Sequence, residues 1–153
     1  MTLHDIERAA AASGLGLVGA FHPGPQDPAP EHIQTLCLLG PNGPSMWQVF
    51  TKSDEYADGL ADPLDRWSTR VIGSLAEAFD AVALFPFGGP PWQPFQKWAI
   101  LGEGAVISPV SMQATLRRGL WTSYRGALGL RTKFALPEPV THSPCANCDA
   151  PCL

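Results

Sequence analysis

The sequence predicts an α+β fold in a single domain, with a central antiparallel sheet flanked by helices. A chain of 153 residues has the length of one domain with a sizeable core. A long amphipathic helix pattern covers residues 63–79, and apolar runs of strand length precede and follow it. The 16 Pro and 15 Gly residues divide the chain into short elements, while 45% apolar residues argue against a disordered chain.

The N-terminal part predicts two helices and two strands. Residues 3–12 form a helix that Thr2 can cap, since Asp5 stands three positions later. Leu15–Phe21 is a strand whose glycines indicate close approach of another backbone. Residues 35–39 are continuously apolar, which is typical of a strand buried on both faces, and residues 45–51 form a short helix.

The helix over residues 63–79 carries the strongest pattern in the chain. Asp62 is the expected N-cap, Pro63 occupies the first helical position, and Asp65 places a carboxylate near the positive end of the helix dipole. One apolar stripe recurs at helical spacing: Leu64, Trp67, Val71, Leu75 and Ala78.

An aromatic corner follows this helix. A strand over residues 80–85 enters it, and a helix over residues 91–101 leaves it. The Gly-Gly-Pro-Pro corner (residues 88–91) turns the chain between them, and its two prolines offer no N–H to a phosphate. We therefore expect either a core aromatic cluster or the wall of a pocket for a flat apolar ligand.

The C-terminal part predicts a hairpin. Residues 110–115 and 120–130 form its strands, and residues 116–119 form the turn between them. Arg125 lies within the second strand, where it can hold a ligand carboxylate or phosphate, or pair with a neighbour such as Asp80. Arg117 and Arg118 are interpreted as a solvated turn.

Charge and the N-terminus restrict the partners and the compartment. A net charge of −4 without clustered basic residues argues against nucleic acid. Acidic residues near the start argue against an export signal, and no apolar run has the length of a membrane span, so we expect a cytoplasmic protein without a membrane partner. No catalytic constellation stands out, so the sequence leaves open whether the protein is an enzyme.

A cysteine tail follows the α+β ligand-binding domain of residues 1–136. Residues 137–153 form a Pro-rich linker that ends in Cys145, Cys148 and Cys152, a spacing typical of iron–sulfur ligands. Three interpretations stay open, in this order of preference: an unmetallated, disordered tail, an incomplete iron–sulfur site, and a zinc site completed by His142. Cys37 lies in a buried run and is expected to be a small core residue.

Five motifs together carry a resemblance that covers nearly the whole chain. They are residues 62–67 (DPLDRW), 84–92 (LFPFGGPPW), 108–112 (SPVSM), 119–128 (GLWTSYRGAL) and 143–145 (SPC). Together they resemble a bacterial ferredoxin-like family that carries 4Fe–4S clusters and whose members usually continue past the cysteines. The resemblance implies a cluster that lacks its fourth ligand in this chain.

A second resemblance concerns the order of the motifs between Pro86 and Gly126. It is similar to that in the cobalamin-processing proteins of the type C methylmalonic aciduria family and in epoxyqueuosine reductases. This implies a fold related to flavin nitroreductases, with a corrinoid or similar flat cofactor over the sheet. The implied cofactor site consists of Phe87, Trp92, Met112, Trp121 and Arg125. Residues 112–115 lack the His that the cobalamin-processing proteins carry there, so a His-dependent role is not implied.

These observations predict a ferredoxin-like protein that functions in electron transfer. Its α+β domain would bind a corrinoid or similar small-molecule cofactor, and its tail would carry the cysteines of an incomplete cluster. A redox protein is its expected partner. The alternative is a non-enzymatic homodimeric scaffold, in which the aromatic corner is the interface and the tail is disordered.

Overall fold

The computed structural model describes all 153 residues, which form five helices and six strands. The helices are α1 (Leu3–Ala11), α2 (Ser45–Phe50), α3 (Asp54–Ala57), α4 (Pro63–Ala78) and α5 (Phe95–Glu103). The strands are β1 (Leu15–Phe21), β2 (Thr35–Pro41), β3 (Val82–Leu84), β4 (Val106–Ile107), β5 (Gln113–Ala114) and β6 (Gly126–Leu130). None of the helices is both long enough and apolar enough to cross a lipid bilayer.

A four-stranded antiparallel sheet in the order β1-β2-β6-β3 is the centre of the fold. This confirms the predicted α+β class. β2 lies inside the sheet with six of its seven residues buried, as its continuous apolar run predicts. β1 is an edge strand, and its register with β2 shifts between Leu17 and Gly19.

Helices cover both faces of this sheet. Alternate residues of a strand point to opposite faces, and β2 supplies Cys37 and Leu39 to one core cluster and Leu36 and Leu38 to the other. The first cluster packs the sheet against α1, α2 and α4, and the second packs it against α5 through Phe95 and Trp98. The predicted arrangement of a sheet flanked by helices is therefore confirmed.

The predicted N-terminal caps of α1 and α4 differ in whether the side chain forms a capping hydrogen bond. Thr2 and Asp5 form the predicted capping box, in which the Asp5 amide donates to Thr2 Oγ1 and the Thr2 amide donates to the Asp5 carboxylate at 2.8 Å. α4 confirms the predicted helix to within one residue, but Asp62 has a left-handed backbone (φ 50°) and its side chain forms no capping bond. Asp62 therefore occupies the predicted N-cap position, but its side chain does not cap the helix, since capping side chains typically stand on an extended backbone.

The predicted hairpin between residues 110–115 and 120–130 is wrong. β5 pairs with β4, while β6 is only five residues long and pairs with β2 and β3. Only a single bridge, between Thr115 and Gly119, resembles the predicted turn. The physical reason is burial: all five residues of β6 are buried, and this requires neighbours on both sides.

Smaller differences concern the ends of elements around the aromatic corner. β3 is shorter than the predicted strand, and α5 begins at Phe95 rather than at residue 91 because prolines occupy positions 90, 91 and 94. α5 continues past the predicted stop at Gly102, and the left-handed Gly104 ends it. The short helix α3 is absent from the prediction.

Candidate functional site

The aromatic corner contains a stacked pair and a cation–π contact. The rings of Phe85 and Phe87 stack with centroids 5.1 Å apart, and the Arg125 guanidinium lies 5.6 Å from the Phe87 centroid. Trp92 folds back over Gly89, where an added Cβ would lie 2.6 Å from the indole ring. The corner is thus a donor-poor apolar surface, with one cation held against it.

Arg125 is fixed by residues of α4. Its Nη2 donates to Asp65 Oδ1 at 2.5 Å, and its Nε donates to Ser68 Oγ at 3.0 Å. The side chain is mostly buried, and its acidic partner is Asp65 rather than the predicted Asp80. Arg125 therefore ties the corner to α4, and this pairing competes with the ligand-holding role that the sequence also allowed.

The structure brings together two of the five residues predicted to hold a flat cofactor. Phe87 and Arg125 touch, whereas Trp92, Met112 and Trp121 are 66%, 53% and 91% exposed. None of the five lines either of two cavities of about 680 and 390 Å³. Trp121 points to solvent because residues 120–125 form turns and irregular backbone instead of the expected strand.

A buried ionic cluster lies at the C-terminal end of α5. Glu103 accepts two hydrogen bonds from Arg118, at 2.9 and 2.6 Å, and a third from the Tyr124 hydroxyl at 2.6 Å. The Arg118 guanidinium also lies 5.2 Å from the Tyr124 ring centroid. Burial, followed by the bond to Glu103, raises the pKa of Tyr124 far above its usual range, so the phenol stays protonated.

This cluster corrects the interpretation of Arg118 as part of a solvated turn. The Arg118 side chain is mostly buried, and its Nη1 also donates to the Ser123 carbonyl at 3.0 Å. Only one feature of the sequence points to it: Glu103 follows an apolar helix end without a basic residue nearby. All donors to the Glu103 carboxylate come from this one loop, so the cluster fastens residues 115–125 to α5.

A groove of about 680 Å³ lies beside β1. Its walls are β1, the first turns of α1, the end of α5 and residues 136–140. Gly19 lets α5 approach this closely, because a Cβ there would lie 2.7 Å from the Gly102 backbone. The prediction that a glycine of this strand marks the close approach of another backbone is therefore confirmed. The lining of the groove also shows that residues 136–140 pack against the domain.

The three tail cysteines lie on two short turns. Cys145 is half-buried, Cys148 and Cys152 are exposed, and none of the three forms a disulfide. Cys145 N donates to Ser143 Oγ at 3.1 Å, and Cys148 N donates to the Cys145 carbonyl. Nowhere in the chain do three His, Cys, Asp or Glu side chains converge closely enough to hold a metal ion.

Cys37 differs from the tail cysteines. It is fully buried in β2, and burial raises the pKa of its thiol to about 12. The thiol is therefore inert at neutral pH, which confirms the prediction of a core residue. Of the four cysteines, only the three in the tail are accessible for chemistry that needs a thiolate.

Comparisons of the chain with protein-family models, with curated proteins and with solved structures find no match.

Proposed function

We propose that this protein is a ferredoxin-like redox protein in which Cys145, Cys148 and Cys152 bind the metal. One observation carries the proposal: three free thiols share a short segment, and none is withdrawn into the core or into a disulfide. Soft thiolate donors favour iron–sulfur clusters and zinc over hard cations. The α+β domain then serves as the platform for the tail and for a redox protein partner.

The three tail thiols are suitable metal ligands by their chemistry, but in this structure they do not lie close enough together to share a metal ion. The thiols and His142 do not converge in this structure, and His142 Nδ1 lies 3.4 Å from Thr141 Oγ1 instead. Binding would require the two tail turns to rearrange, together with a fourth ligand.

The spectrum of the protein after anaerobic incubation with iron and sulfide tests this proposal. We expect visible sulfur-to-iron charge-transfer absorbance that the Cys148→Ser variant loses. Cys37→Ala is the matched control, since it removes a buried thiol and leaves the tail unchanged. A colourless protein after this treatment would contradict the proposal. If the tail forms a zinc site instead, the protein should bind zinc in the absence of sulfide, and His142→Ala should lower its affinity for zinc.

We also propose a nitroreductase-like and cobalamin-processing-like fold with a site for a corrinoid or similar flat cofactor. It is supported by the antiparallel sheet with helices on both faces, and by the apolar Phe85–Phe87 surface with Arg125 at its edge. Titration with cobalamin should shift the visible cobalamin spectrum, and Phe87→Ala should reduce the shift. The exposed Ile100→Ala is a control, because Ile100 lines the groove beside β1 and not the corner. Absence of both a shift and co-elution would contradict the proposal.

A second candidate function is a non-enzymatic scaffold or interaction domain. The apolar lobe (residues 106–121) exposes six large apolar side chains: Ile107, Val110, Met112, Leu116, Leu120 and Trp121. These six residues lie within sixteen positions of the chain, and contiguous exposed apolar surface is typical of protein interfaces. Light scattering over a concentration series should show a dimer that Trp121→Ser weakens, whereas a monomer at all concentrations would exclude self-association through this lobe.

A further inference from the structure

A second cavity, of about 390 Å³, lies where α2 and α3 meet the first turn of α4. It is separate from the tail, from the groove beside β1 and from the apolar lobe. Its lining consists of three aromatic rings, two apolar side chains and two carboxylates: Trp47, Phe50, Tyr56, Pro63, Leu64, Asp62 and Asp65. We call the three rings with the two carboxylates the aromatic cage.

The three rings stand at steep angles to each other. The Tyr56 ring is nearly perpendicular to Trp47 (79°, centroids 6.3 Å apart) and to Phe50 (80°, 5.3 Å apart). Phe50 is buried and packs edge-on against Trp67 in the core, which fixes the floor of the cavity. Trp47 and Tyr56 are 55% and 48% exposed, so these two walls still present ring surface to a ligand.

The charges around the cavity favour a cation. No Lys, Arg or His lines it, and the two polar lining residues are Asp62 and Asp65. Asp65 is already paired with Arg125, and the Asp62 carboxylate forms no hydrogen bond or direct ion pair, although the charge of Arg66 lies within its electrostatic reach. The positive end of the α4 dipole opposes a cation here, and this opposition is reduced because Pro63 at the first helical position has no N–H.

We propose that the aromatic cage binds an alkylated ammonium group, either on a small molecule or on a methylated lysine of a peptide. The faces of aromatic rings attract cations, and cages of several rings are a common way to bind quaternary ammonium. An alkylated ammonium also suits the apolar lining, because its methyl groups contact the rings while Asp62 balances its charge. A metal ion does not suit the site, since only one free carboxylate faces it.

The first test compares charged and neutral probes by isothermal titration calorimetry. Choline and tetramethylammonium should bind saturably, and the uncharged tert-butyl analogue of choline should bind at least about ten-fold more weakly. A peptide that carries trimethyllysine is the second arm. Tighter binding of the peptide than of choline indicates a macromolecular ligand, and the reverse indicates a small molecule. Equal binding of choline and its neutral analogue, or no saturable binding of any charged probe, overturns the proposal.

The second test locates the site. Trp47→Ala should weaken choline binding by about ten-fold or more, and Asp62→Asn should weaken it several-fold, because each removes one part of the attraction. Trp92→Ala and Asp54→Asn are matched controls, since both residues are exposed and lie outside the lining. Trp47 is itself half-exposed, so its loss should leave the circular dichroism spectrum unchanged. Equal affinity of the Trp47 variant and the wild type would overturn the proposal.

Discussion

At the scale of single residues, Glu103 is the most constrained charge in the protein. It is buried at the end of α5, and its two oxygens accept three hydrogen bonds from Arg118 and Tyr124. A buried carboxylate of this kind is costly to remove, because the mostly buried Arg118 would keep its charge without a partner. The cluster therefore links the stability of the domain to the position of residues 115–125.

Glu103→Gln should lower the free energy of unfolding by about 3 kcal/mol, since it breaks one side of a buried ion pair. Urea denaturation measures this change. Glu7→Gln is the matched control, because Glu7 is exposed and its loss should change stability by less than about 0.5 kcal/mol. Equal stability of the two variants would show that the cluster contributes little.

Glu55 makes stability depend on pH in the acid range. Its hydrogen bond with Arg70 lowers the pKa of the Glu55 carboxyl from 4.5 to about 2. A depressed carboxyl pKa stabilises the fold above the unfolded value, and this contribution is lost as the pH falls from about 4.5 towards 2. Wild type should therefore be more stable than Glu55→Gln at neutral pH, and the difference should shrink below pH 4.5.

Denaturation curves of both proteins at several pH values check this prediction. His4→Gln serves as a control, because its substitution leaves the Glu55–Arg70 pair untouched. A difference in stability that stays constant from neutral pH down to about 2 would contradict the assignment of the effect to Glu55.

At the scale of elements, the contact between β1 and α5 depends on a single missing side chain. A Cβ at Gly19 would lie 2.7 Å from the Gly102 backbone, whereas a Cβ at Gly16 would first meet the Asn42 side chain at 3.6 Å. Both glycines lie in the same edge strand, so they form a matched pair. Helix backbone cannot move aside as easily as a flexible side chain, and only the Gly19 contact is with backbone.

Gly19→Ala should destabilise the protein by about 1–3 kcal/mol, as expected for overpacking against rigid backbone. Gly16→Ala should be close to neutral, because its new methyl group meets only ordinary van der Waals contacts. Thermal unfolding of the two variants measures the contrast. A Gly16 variant as unstable as the Gly19 variant would mean that strand glycines matter here for a reason other than the α5 contact.

Local sequence patterns predicted several of the helices and strands, but they did not predict which distant strands pair with each other. The apolar stripe of α4 and the buried run of β2 are visible along the chain, and both elements formed nearly as predicted. β6 takes its partners from β2 and β3, which lie far away in the sequence, so a nearby turn made a local hairpin look plausible. Nothing around Arg125 in the sequence indicates Asp65, sixty positions earlier, as its partner.

At the scale of the whole molecule, the tail thiols and the aromatic cage share no residue with the groove beside β1 or with the apolar lobe. The groove and the lobe meet at Leu116, which belongs to both. The proposed metal-binding tail and the proposed partner surface therefore share no residue. The charged residues are unevenly distributed along the chain. Residues 104–137 contain no Asp or Glu, and their basic residues are Arg117, Arg118, Arg125, Arg131 and Lys133.

The spacing of the three tail cysteines is visible in the sequence, and the metal site inferred from it stays a prediction. The groove beside β1 is not visible in the sequence, because its lining comes from distant segments. The groove joins α1, β1, α5 and residues 136–140, and no motif marks that meeting. The residues of the proposed flat-cofactor site show the reverse. Motifs in the sequence group all five, but only Phe87 and Arg125 are in contact in the structure. Motif order alone therefore does not place side chains in one pocket.

The amount of iron bound per chain after anaerobic reconstitution with iron and sulfide tests the central claim most directly. The wild type and Cys37→Ala should retain iron and acid-labile sulfide after gel filtration. The triple Cys145→Ser, Cys148→Ser, Cys152→Ser variant should retain neither, while its circular dichroism spectrum stays the same. Iron retained equally by the triple variant, or by none of the proteins, would contradict a metal-binding role for the tail.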